Sequence, residues 1–215
     1  MTGLIVFDLD GTLVDSHLDI ANAANALVEE RGGARLSEDA IVAMVGEGAA
    51  LLVRRALEAA GLDPATPGAL DRFLSLYEDR LLDHTAVYPG TIEMLDRLAA
   101  LAPLSVLTNK PQRPTEAILE GLGLRVRFRE VIGGDTPFGR KPDPAGLLHL
   151  AAAAGVPPAQ VLMVGDSPID LQTARAAGTR VCLVRYGFGF RFGADDFRGD
   201  ERFANAPDDI AAALG

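Results

Sequence analysis

Leu4-Ile5-Val6-Phe7-Asp8-Leu9-Asp10-Gly11-Thr12 opens the chain with four consecutive apolar residues that run into a polar, glycine-containing turn. Such a run, without alternation, suits a strand buried on both faces. Three more runs share its character: Leu104 to Thr108, Val161 to Val164 and Val181 to Val184. Helical patterns lie between them, starting at Thr91, Thr115, Pro144 and Pro168, and Gly155 and Gly178 stand where helix C-termini commonly end. Strands alternating with helices of this size predict an α/β fold. Its core is a Rossmann-like, three-layer arrangement with a parallel sheet and right-handed crossovers.

One stretch breaks the alternation. From Ser16 to about Thr85 the patterns are helical only: Ser16 with Asp19 reads as a capping box, Ser37 caps a second helix, and helices follow from Ala49 and from Ala69 to His84. An all-helical stretch of roughly 70 residues is too long for an ordinary crossover and predicts an inserted cap domain. The expected division is residues 15–85 for the cap and residues 1–14 and 86–215 for the core, with hinges near Val14–Asp15 and Ala86–Tyr88. The tail from Tyr186 is rich in glycine and aromatics, and reads as irregular before a short helix near Asp208.

Thirty acidic residues against 20 Lys and Arg give a formal charge of −10, which disfavours a nucleic acid partner. No apolar stretch approaches the ~20 residues of a membrane span. The single cysteine, Cys182, has no internal partner, so a reducing cytoplasm is the expected location.

In an open parallel sheet, ligands bind at the carboxyl ends of the strands. Those ends carry Asp8 and Asp10, then Thr108-Asn109-Lys110, then Gly165-Asp166-Ser167 with Asp170 a turn further on. Carboxylates gathered so closely need a compensating cation or must partly protonate. Oxygen donors without His or Cys point to a hard ion, and Mg²⁺ suits one or two carboxylates beside a substrate phosphate. Thr108 and Asn109 offer hydroxyl and amide groups for phosphate oxygens. Lys141, in a loop stiffened by Pro142 and Pro144, offers a positive charge.

The stretches Asp8 to Ser16, Thr108-Asn109, Lys141 and Gly165 to Asp170 resemble, in order and across nearly the whole chain, the four motifs of the haloacid dehalogenase superfamily. Within it, the segments Leu13 to Leu27, Met44 to Leu57, Tyr88 to Leu95 and Lys141 to Leu148 are most similar to bacterial phosphoglycolate phosphatases. The resemblance implies Asp8 as nucleophile, Asp10 as general acid and base, and Mg²⁺ held by Asp8, the Asp10 carbonyl and Asp166, with Asp170 behind them. It further implies phosphoryl binding by Thr108, Asn109 and Lys141, and hydrolysis of a small phosphorylated metabolite, with 2-phosphoglycolate foremost. Asp10 argues against a metal-free dehalogenase, and Ile20, near where β-phosphoglucomutases carry a histidine, argues against a mutase. A different small-metabolite phosphatase or a β-phosphoglucomutase-like phosphotransferase is the alternative, and a catalytically silent binding module a further one.

Specificity is expected in the cap. Gly46-Glu47-Gly48 separates two helical stretches and is suited to dipping toward a substrate; His17, Arg54 and Arg55 are further candidates. The expected assembly is a monomer or homodimer.

Overall fold

Residues 2–214 are described by a computed structural model, the Ala194 side chain excepted. The strands are β1 (Leu4–Phe7), β2 (Val14–Asp15), β3 (Ala86–Val87), β4 (Leu104–Leu107), β5 (Glu130–Ile132), β6 (Val161–Gly165), β7 (Arg180–Val184) and β8 (Arg202–Ala204). Six of them form a parallel sheet in the order β5-β4-β1-β6-β7-β8. Phe7 at the end of β1 pairs with Val106 on one side and Val164 on the other, so three strands reach their carboxyl ends together. That register brings Asp8, Thr108 and Asp166 to one edge.

The helices are α1 (His17–Glu30), α2 (Glu38–Val42), α3 (Ala49–Ala59), α4 (Ala69–Glu78), α5 (Thr91–Ala99), α6 (Gln112–Gly121), α7 (Ala145–Ala154) and α8 (Pro168–Ala177). Side chains alternate across β1. Ile5 and Phe7 pack with Met94, Leu98 and Ile118 on one face, whereas Leu4 and Val6 pack with Leu147, Leu150 and Leu171 on the other. Both faces of the sheet are therefore dry, which is why the strand reads as an unbroken apolar run. The α/β class and three-layer architecture follow directly.

Helices α1 to α4 enclose a separate apolar cluster that includes Ile20, Leu27, Ile41, Leu57, Phe73 and Tyr77. The chain enters this insert through β2 and leaves it through β3, which pair antiparallel, Val14 with Val87 and Asp15 with Ala86.

Several local expectations change. The Ser16–Asp19 capping box does not form: Ser16 makes no side-chain cap, and its hydroxyl donates to Asp10 Oδ1 at 2.5 Å. Asp19 instead accepts from the backbone N–H groups of His84 and Thr85 and from the Thr85 hydroxyl. Those bonds hold 84–85 beside the start of α1, and α4 stops at Glu78 instead of continuing to His84. Ser37 does cap α2, accepting from Ala40 N. The tail contains the edge strand β8, and β5 forms the opposite edge; both are three residues long, too short to register as apolar runs. The last turn, Pro207–Leu214, is a 3-10 helix. Among the described residues no helix is long and apolar enough to cross a membrane.

Candidate active site

Gly11, at φ 80°, turns the chain after β1, and the N–H groups of Thr12, Leu13 and Val14 all donate to Leu9 O. The turn separates the two acids of this segment. Asp8 keeps to the strand end, buried, with Oδ1 accepting from Leu9 N at 2.7 Å and lying 2.8 Å from Lys141 Nζ. Its Oδ2 accepts no hydrogen bond among the described residues. Asp10 turns toward Lys110, whose Nζ lies 2.9 Å from both carboxylate oxygens.

The acidic cluster is Asp8, Asp166 and Asp170, all buried, each offering an oxygen within 4.8 Å of the others; the Asp10 carboxylate is not part of it. Among the described residues Lys141 is its one ammonium, bonded to Asp170 Oδ1 at 2.6 Å as well as to Asp8. Burial pushes Asp8 up to about 6 against the opposing pull of Lys141, and burial with the neighbouring acids raises Asp166 well above the usual carboxylate range. Burial alone would lower Lys141, but Asp170 and Asp8 hold it charged and above its ordinary value. Three acids against one ammonium leave an excess of negative charge in a dry site, and all the donors are hard oxygens. The residues present fit Mg²⁺.

Asp170 has a second task. Its Oδ2 accepts from Ser167 N and Oγ, completing a capping box on α8, so the helix start fixes the oxygen that meets Lys141. Asp166 sits in a cradle of glycines. A Cβ on Gly11 would approach Asp166 Oδ2 to 2.0 Å, one on Gly187 to 2.4 Å and one on Gly189 to 2.8 Å, while Gly189 N donates to that same oxygen at 2.7 Å. The glycine-rich tail thus folds over the acidic cluster, anchored by the Tyr186 hydroxyl on Thr12 O.

Thr108 and Asn109 follow β4 as expected, but their side chains are used differently. Thr108 lines the cavity, and its Oγ1 accepts from Lys110 N at 3.3 Å. The Asn109 amide donates to Lys141 O and, across to the cap, to Gly46 O, both at 2.9 Å. With both N–H groups so engaged, the Asn109 amide ties cap to core in this conformation and has none left for a phosphoryl oxygen.

The cap roofs a cavity of about 70 Å³ lined by Asp8, Asp10, Thr108, Lys110 and Asp166 from the core and by Ile20, Val45, Leu52, Phe73, Leu74 and Tyr77 above. Gly46 and Gly48 line it too, whereas Glu47 does not: its carboxylate pairs with Arg55 at 2.6 Å, and the residue lines an adjoining recess together with Lys141 and Ser167. His17 bonds Asp15 and Glu38 and lies near Phe188, and neither it nor Arg54 nor Arg55 borders the cavity. Sequence reasoning gave no role to Lys110, Tyr77, Gly187 or Gly189. Lys110 adjoins Thr108-Asn109, which was a signal; the glycine spacing at 187 and 189 was a weaker one.

A parallel sheet with buried carboxylates at its strand ends, roofed by a helical insert, defines an α/β protein of the capped, acidic-site class. The family model described as haloacid dehalogenase-like hydrolase matches residues 5–184, and the chain belongs to that family. Among its relatives, a phosphoglycolate phosphatase of Rhodospirillum rubrum is 48% identical over 196 residues, covering 87% of this chain and 81% of that protein. Another, from Chromobacterium violaceum, is 44% identical, covering 86% and 85%. The crystal structure of a predicted phosphoglycolate phosphatase from Haemophilus somnus superimposes with a TM-score of 0.91 at 31% identity, over 100% of this chain and 98% of that one.

Proposed function

We propose that the chain is a Mg²⁺-dependent phosphomonoesterase that hydrolyses 2-phosphoglycolate to glycolate and phosphate through an aspartyl phosphate on Asp8. The observation that carries this reading is the buried cluster of Asp8, Asp166 and Asp170 with Lys141 as its one ammonium. The names of the relatives support the choice of substrate.

Asp8 Oδ2, the oxygen without a hydrogen bond, attacks phosphorus; the new O–P bond forms as the bond to the ester oxygen breaks. Asp10 gives its proton to the departing alkoxide, then takes one from the water that attacks the acyl phosphate, returning Asp8 as carboxylate and releasing phosphate. Lys141 and Thr108 contact the phosphoryl oxygens and offset the charge that builds on them. Asp8, Asp166 and the Asp10 carbonyl would hold Mg²⁺, with Asp170 behind them. When bound, the ion would offset phosphoryl and carboxylate charge, lowering the repulsion between an anionic nucleophile and an anionic substrate. The small cavity favours a leaving group of few atoms, and its apolar roof limits the water around the reacting centre.

The test is a screen of the purified protein with Mg²⁺ against phosphomonoesters, 2-haloacids and β-glucose 1-phosphate. Phosphate release without halide, with 2-phosphoglycolate near the top by kcat/KM, is the expected result. Halide release from haloacids would overturn it.

A further inference from the structure

The roof of the cavity is apolar except at one point. Among the described cap residues lining it, Tyr77 alone carries a side-chain polar atom, and that hydroxyl is buried, within range of Lys110 but without a well-aligned hydrogen bond. The ring is held in place: Phe73 stacks on it at 5.9 Å with an interplanar angle of 8°, and Lys110 Nζ stands 4.6 Å from its centroid. Burial pushes the Tyr77 hydroxyl up to about 12, so it remains a donor across the working pH range. Beneath it, Lys110 spends its bonds on the two oxygens of Asp10, while an ammonium carries three N–H groups. A buried hydroxyl and a buried cation side by side are costly to maintain for packing alone, since a phenylalanine would fill the same volume.

We propose that Tyr77 Oη and Lys110 Nζ form a subsite for a carboxylate carried by the leaving group, which makes Tyr77 a specificity-determining residue from the cap. The inference rests on the phosphatase reading above. In that reading the ester oxygen lies beside the Asp10 carboxylate. A carboxylate two bonds beyond it falls on the side where Lys110 holds Asp10 and Tyr77 overhangs both. The surrounding Leu52, Phe73 and Leu74 exclude water, which strengthens each polar contact and penalises a leaving group that leaves the pair unmatched.

The experiment compares 2-phosphoglycolate, its uncharged amide and ethyl phosphate as substrates of the wild type and of Tyr77→Phe, with Mg²⁺ present throughout. The wild type should prefer phosphoglycolate to both analogues. Tyr77→Phe should lower kcat/KM for phosphoglycolate ~10-fold or more, chiefly through KM, and lower that for ethyl phosphate much less. An equal loss on all three substrates overturns the subsite while leaving the phosphatase reading intact. Should the variant fail to fold, as judged by its circular dichroism melt, the wild type still decides: indifference between phosphoglycolate and its amide overturns the proposal. A wild type inert toward every phosphomonoester overturns both readings at once.

Discussion

Lys141 Nζ stands 2.8 Å from Asp8 Oδ1, and both groups are buried at the end of the central strand. The pairing spends one carboxylate oxygen on orientation and leaves the other for chemistry. Asp8→Asn retains the shape and the hydrogen bond from Leu9 N but removes the nucleophilic charge. We expect a folded protein with phosphatase turnover lowered ~10⁴-fold or more. Near-normal turnover in steady-state assays, with an unchanged melting temperature, would assign the nucleophile elsewhere.

The glycine cradle around Asp166 leads to a metal prediction. Any Cβ at Gly189 meets Asp166 Oδ2 at 2.8 Å and must displace the carboxylate or the tail loop. Gly189→Ala should therefore weaken Mg²⁺ binding ~10–100-fold, the range typical of lost outer-shell support. Calorimetric titration of Mg²⁺ into metal-free protein reads this directly. Exhaustive chelation of the wild type should abolish activity, and added Mg²⁺ should restore it; full activity without metal would contradict the reading of the acidic cluster.

The core was legible because its strands are dry on both faces, so that Leu4 to Phe7 and Val161 to Val164 declare themselves without alternation. The acids at their ends followed from chain order alone. Tertiary pairing was not legible. Ser16 and Asp19 have the spacing of a capping box, yet each bonds instead to a partner brought close by the fold, Asp10 and the 84–85 backbone. Glu47 stood out between two glycines, but the positive φ at Gly46 and Gly48 serves the approach of the loop to Asn109, and the glutamate points away to Arg55. Tyr77 lies within the helical stretch from Ala69, where nothing local marks a hydroxyl that meets a lysine from another segment.

Among the described residues, Asn109 Nδ2 to Gly46 O is the one side-chain hydrogen bond that joins the strand-end loop to the Gly46–Gly48 turn. Asn109→Ala removes it along with the bond to Lys141 O, loosening cap closure and the lysine loop. Closure that depends on this bond predicts KM for phosphoglycolate raised ~10-fold with a smaller fall in kcat. Glu47→Ala, by contrast, should leave the ranking of substrates intact, because its carboxylate does not border the cavity. A change of ranking in the Glu47 variant, measured over the same panel, would return specificity to the turn.

Glu201 offers a stability test away from the chemistry. It is buried in the tail and accepts from the N–H groups of Arg198 and Gly199 and from the Arg175 guanidinium on α8. Burial alone would raise its pKa, but these donors outweigh it and bring the carboxyl down to about 2, against an ordinary value of 4.5. A depressed folded-state pKa means that the unfolded chain binds the proton more readily. The contribution is therefore complete above pH 4.5 and is lost as the pH falls toward 2. Glu201→Gln keeps the size and removes the charge, and should cost ~1–3 kcal/mol at pH 7. In denaturant titrations, the gap between wild type and variant should narrow as the pH drops from 4.5 toward 2. A gap that stayed constant with pH would mean that the carboxylate contributes through shape and not through its charge.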